Sequence, residues 1–161
     1  MIPTRRVRLA VVGISFLLFL LSLYLDAARF IENPGTPSAQ VVNHAGFVMF
    51  FMAIFGPISG NFAFLANPLL LVGWLMISAQ KYRGAAITLF IGFLFTLQTY
   101  QLHSQKIYED EGGSNFSYMT HLLPGWWVWL LSIVFPLAAA VYFKWFAPKL
   151  PAPEPLARAA A

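Results

Sequence analysis

Imidazole and carboxylate groups carry the chemistry most open to this chain. His44, His103 and His121 are its only histidines, and Glu109-Asp110-Glu111 places three carboxylates in a row between the last two. Neutral imidazole nitrogen and carboxylate oxygen suit Zn²⁺ or another divalent cation, so these six residues form the candidate metal set. Their spacing is against it, because no HxxxH or HExxH pair presents two ligands on one helix turn. Imidazoles solvated at a membrane surface are the preferred reading. A haem held between His103 and His121 would lie at the ends of two helices, where its plane would be exposed. The chain has no cysteine, which removes thiolate nucleophiles, iron–sulfur clusters and disulfides. No cofactor is expected.

A second polar set, Asn61, Asn67, Gln98 and Gln101, has no titratable chemistry. It could line a shallow pocket open to one side and closed over by the apolar stretch 46–58. The preferred role is structural, through interhelical hydrogen bonds of about 0.6–2 kcal/mol each.

The elements that position these groups follow from composition. Of 161 residues, 59% are hydrophobic, 17% aromatic and 10% charged, against roughly 25% charged in an ordinary soluble domain. A water-soluble domain is therefore not expected, and neither is a nucleic-acid binder, since the net charge of +4 reflects few acids rather than a basic patch. Four stretches approach the ~20 apolar residues that cross a bilayer core, at 9–25, 62–80, 85–102 and 122–146. Without water, their backbone groups are satisfied only within helices. A fifth apolar run, Gly46 to Ile58, is too short and reads as an interfacial or re-entrant helix that breaks at Gly56-Pro57. The expected fold is all-α: an integral membrane four-helix bundle over 1–146 with that extra helix on the outer side. A Pro/Ala-rich cytoplasmic tail follows over 147–161.

Lys and Arg set the orientation. With the N-terminus inside, Arg5, Arg6, Arg8, Lys81, Arg83, Lys144, Lys149 and Arg158 share the inner side, and only Arg29 and Lys106 lie outside. The first stretch is longer than a signal-peptide core and lacks a clear cleavage site, so an uncleaved helix is expected. None of the four spans holds a charge well inside it, which argues against a pump or coupled transporter. A homo-oligomeric channel or carrier lined by Thr, Ser and Asn stays open as a reading.

Apolar helices in lipid associate through small residues that allow close approach. Gly84, Thr88, Gly92 and Thr96 recur every fourth residue, and Ser132, Pro136 and Ala140 do the same on the last span. Both ladders are expected to face the bundle interior. Trp126, Trp127 and Trp129 read as an outer aromatic belt.

The segments carrying Asn67-Pro68, Lys81/Arg83 and Pro124-Gly125-Trp126 resemble small four-span inner-membrane proteins of bacteria. The resemblance covers the layout of the second to fourth spans. It implies a bacterial inner-membrane location and no catalytic residue. The expected partners are the lipid bilayer and another membrane or periplasmic protein, or a second copy of the chain, with no nucleic acid. The leading reading is a non-enzymatic protein, an accessory, assembly or toxin-immunity subunit. An outer-face metal or haem enzyme using the three histidines and the acidic loop is the alternative.

Overall fold

The computed structural model describes residues 3–104, 106–108 and 116–147. Helix α1, Arg5–Tyr24, starts where Thr4 turns extended and its hydroxyl accepts the Val7 N–H at 3.4 Å, satisfying one of the donors a helix start leaves open. It ends at Leu25, again extended, which feeds strand β1, Asp26–Glu32. Strand β2 spans Gln40–Ala45 and leads directly into helix α2, Gly46–Met52. A 3-10 segment, Ala53–Ser59, carries Pro57, so the apolar run 46–58 is α-helical for only its first half.

Helix α3, Ala66–Ser78, follows a 3-10 turn at Ala63–Leu65. Pro68 sits in its first turn, where a missing N–H leaves no intrahelical bond unmade. The chain then reverses through Gln80, whose φ of 62° is left-handed. There Lys81 N–H reaches Met76 O and Gln80 N–H reaches Ile77 O, the paired bonds of a Schellman stop. Helix α4, Tyr82–Leu97, continues as a 3-10 segment to His103. Strands β3, Ile107–Tyr108, and β4, Phe116–Leu122, precede helix α5, Pro124–Val141, which ends in a π-helical turn at Tyr142–Phe146.

Three runs, Arg5–Tyr24, Tyr82–His103 and Pro124–Phe146, are long and apolar enough to cross a membrane by length and composition. The run Ala63–Ser78 is apolar but shorter. The structure is thus mostly helical, but the all-α expectation is corrected by a four-stranded antiparallel sheet in the order β2-β1-β4-β3. Its β1–β2 hairpin turns through Asn33 (φ 48°) and Gly35 (φ 82°). In β1, Ala28 and Phe30 point inward and are 1% exposed, while Arg29 lies on the opposite face, as the period of two requires. Phe30 and Met119 pair across β1 and β4 and form a small core with Ala28, against which Met49, Leu102, Ile107 and Leu122 pack.

Helices α1 and α4 both run antiparallel to α5. Ser15 of α1 meets Ser132 near the middle of α5, and Tyr82 at the start of α4 packs edge-on against Phe143 past the end of α5, with ring centroids 5.4 Å apart. One end of the bundle therefore gathers Arg5, Arg6, Arg8, Lys81, Arg83 and Lys144, and the sheet caps the other. The contacts between helices are made by small and medium side chains, Ala66, Ala85, Ala86, Leu89, Ile133 and Ala140 among them. Large ones such as Leu17, Leu75 and Phe90 point out and are 64%, 65% and 52% exposed.

The Gly84 to Thr96 ladder lies against α3. A side chain at Gly84 would meet Met76 Sδ at 3.1 Å, and the Thr88 hydroxyl is 3.7 Å from the same sulfur. A Cβ at Gly92 would lie 3.4 Å from Leu69 Cβ, and Thr96 is fully buried. Ser132, Pro136 and Ala140 are likewise buried on α5. Gly92→Ala should shift stability by less than about 1 kcal/mol, since 3.4 Å is ordinary contact and alanine favours helix. Gly92→Leu must push α3 away and should cost about 1–3 kcal/mol, read as the fall in melting temperature in detergent.

A hydrogen-bond relay joins three helices. Trp74 Nε1–H donates to Ser15 Oγ at 2.7 Å, Ser15 Oγ–H donates to Ser132 O at 2.6 Å, and Ser132 Oγ–H donates to Trp129 O at 2.6 Å. It satisfies the indole and two hydroxyls inside an apolar interior, where an unpaired group would be costly.

Candidate functional site

Between the inner face of the sheet and the adjoining ends of the helices lies a cavity of about 180 Å³. Ser22 lines it from the last turn of α1, Ala28 and Phe30 from β1, and Met49, Phe50 and Ala53 from α2 and the segment after it. Asn61, Asn67, Thr99, Trp126 and Trp129 form the remaining polar or amphipathic parts of the wall. The stretch 46–55 thus forms one side of the cavity.

Most of these polar groups are already paired. Asn61 donates from Nδ2 to Gln98 O at 3.1 Å, and its Oδ1 accepts the Ala63 N–H at 3.0 Å. Gln98 Oε1 accepts the Phe62 N–H at 2.9 Å, and Asn67 Oδ1 accepts Trp129 Nε1–H at 2.9 Å. Ser22 Oγ–H donates to Phe19 O at 2.6 Å. Asn61 and Asn67 therefore come together at the cavity, with Gln98 bracing the loop behind them. Gln101 is exposed and has no part in the wall, its carbonyl accepting from Ser104.

Two wall residues differ. Thr99 Oγ1 and Trp126 Nε1 are buried and have no hydrogen-bond partner among the described residues, and the residues are 5% and 4% exposed. Sequence reasoning misses both. Thr99 is one hydroxyl among many near a helix end, and Trp126 is indistinguishable from its belt neighbours until helix phase is known. Residues 126 and 127 are about 100° apart around α5, so Trp126 turns inward while Trp127 is 49% exposed.

The three histidines are not gathered. His44, on β2, shares the inward side of the sheet with Phe30, ring centroids 5.0 Å apart, and its Nε2 lies 3.9 Å from Glu32 Oε1. His121 pairs with Arg29 and so projects from the other face of the sheet. His103 lies beyond β4, with Nδ1 3.1 Å from Met119 O. Among the described residues, no three His, Cys, Asp or Glu side chains are placed to hold a metal ion. Glu109, Asp110 and Glu111 lie outside the described residues.

The chamber is mainly apolar, with two neutral hydrogen-bonding groups, Thr99 Oγ1 and Trp126 Nε1, left unpartnered among the described residues. Comparison of the chain with protein-family profiles, with curated proteins and with solved structures gives no match.

Proposed function

We propose that this chain is a four-span protein of the bacterial inner membrane that works by binding another protein at its outer face. Outward-facing leucines and phenylalanines on every long helix are what a lipid-facing surface needs, and they would be a liability in water. The basic residues collect at the end away from the sheet, so the positive-inside rule puts both helix-bundle termini in the cytoplasm and the sheet outside. On this reading Ala63–Ser78 is the short second span, and α2 with the segment after it lies along the outer interface.

The observation that carries the binding role is strand β2. It is the terminal strand of the sheet, and Gln40, Val41 and Asn43 along it are exposed. An extended edge with unused backbone groups accepts a strand from another chain, which gains main-chain hydrogen bonds.

Reporters fused to each end should both read as cytoplasmic; a split result overturns the threading. Purified gently from membranes, the protein should retain a partner in fixed proportion. Val41 is 64% exposed, so Val41→Lys should leave the melting temperature unchanged while a charge on the edge reduces the retained partner at least tenfold. An unaltered partner yield would refute docking through β2.

A further inference from the structure

The cavity beneath the sheet has the makings of a ligand site independent of the β2 edge. We infer that it holds the apolar part of a neutral membrane amphiphile, with a carbonyl or ester oxygen bound by Thr99 and Trp126.

The size fits part of such a molecule. An apolar cavity of about 150 Å³ takes up benzene-sized solutes, and this one, at about 180 Å³, accepts a ring or a short stretch of acyl chain but not a whole lipid. None of the described residues lining it is charged. A carboxylate or phosphate drawn inside would lose its hydration with no counter-charge to replace it, so the occupant is neutral. Its polar atom is defined by what waits for it. Indole Nε1–H can only donate, whereas a threonine hydroxyl can donate or accept, so an oxygen acceptor is the group that suits Trp126 and Thr99 alike, each otherwise unpartnered among the described residues.

The lid indicates the source. Met49, Phe50 and Ala53 face the cavity, while Phe47, Phe51 and Ile54 on the same stretch are 54%, 58% and 52% exposed. Phe55 does both, lining the chamber and being 69% exposed, and so marks the mouth. A lid apolar on both sides gives entry from the hydrocarbon of the outer leaflet without a passage through water. That source rests on the threading proposed above; the chemistry of the chamber does not.

The full-length protein in detergent micelles is irradiated with a diazirine-bearing alkyl methyl ester, and separately with the same chain ended in a sulfate. The ester should label peptides containing Met49 to Phe55 and Thr99, with suppression by excess unlabelled ester and at least tenfold less labelling by the sulfate. Thr99→Val removes the hydroxyl and should cut cavity labelling roughly five- to tenfold, the loss of one hydrogen bond, while the ligand-free melting temperature holds or rises. Ala53→Trp, which fills the chamber, should abolish cavity labelling; if it fails to fold, Thr99→Val decides alone. Equal labelling by ester and sulfate, or labels confined to outward residues such as Leu17 and Leu75, would overturn the site. So would cavity labelling indifferent to Thr99→Val, or a chamber that takes only water. Repeating the ester experiment in phosphatidylcholine nanodiscs tests the bilayer source: labelling in micelles but not in nanodiscs overturns entry from lipid. Misplaced termini in the reporter experiment would leave the micelle result intact.

Discussion

Gly46→Ala should destabilise the protein by about 3 kcal/mol or more, at the top of the range for overpacking. A Cβ at Gly46 would overlap the Ser22 carbonyl oxygen and sit 2.8 Å from its carbon and 3.0 Å from Leu23 Cα. All of these are backbone atoms of the last turn of α1, which cannot swing aside as a side chain can. Nor can α2 retreat, because Gly46 N–H donates to Leu25 O at 2.8 Å. Gly125 presses on the same joint from the other side. A Cβ there would come within 2.7 Å of Leu25 O and 2.8 Å of Asp26 O, so Gly125→Ala should cost a similar amount. Between them the two glycines clamp the point where α1 becomes β1. Gly13 is the control: nothing lies within 4 Å of its would-be Cβ, and alanine in mid-helix should be neutral or stabilising by up to about 1 kcal/mol. Thermal unfolding in detergent reads all three. Gly46→Ala melting with the parent protein would mean that α2 does not rest on α1 as described.

The long helices were legible because an apolar run has few other ways to satisfy its backbone. The expected start at Leu9 nevertheless missed a full turn, since Arg5, Arg6 and Arg8 are helical behind the Thr4 cap and a hydropathy argument stops at the first charge. The sheet is not legible in the same way. Its central pairing joins β1 to β4, which are separated in sequence by α2, α3 and α4, so no local pattern announces that pairing. Local signals were present: Asn33-Pro34-Gly35 between Arg29–Glu32 and the Val41-Val42 pair reads as a hairpin. Phe116 to Thr120 also alternates, with Ser117 and Met119 buried and their neighbours less so. Of the site, Asn61 and Asn67 could be named because amides are rare in this chain's apolar stretches. Thr99 and Trp126 could not, because what sets them apart is an unmet hydrogen bond, a property of three-dimensional surroundings. The histidines show the converse. Their shared end of the bundle follows from the spans, but strand pleating, which separates His44 from His121, follows only from the sheet register.

Phe30→Ala should cost about 3–5 kcal/mol, the usual range for deleting a buried aromatic ring, and the loss should be local. Phe30 is 1% exposed and is the largest buried member of a core that it forms, among the described residues, with Ala28 and Met119. A core this small has no redundancy. Removing the ring also takes away the aromatic contact of His44 and opens the cavity wall that Phe30 helps form. The helix-to-helix contacts do not include it: the bundle core from Val11 to Ala140 is a separate cluster. Helical circular dichroism should therefore persist while amide protons of β1 and β4 exchange much faster, because local opening draws on local contacts. Ile31→Ala, on the opposite and less buried side of β1, should have under a third of the effect. Exchange unchanged in β1 and β4 would mean that the backbone ladder and the glycine clamp, rather than the aromatic core, hold the sheet on the bundle. Global unfolding would mean that sheet and bundle form one cooperative unit, with the relay through Ser15 and Trp74 too weak to keep the helices together alone.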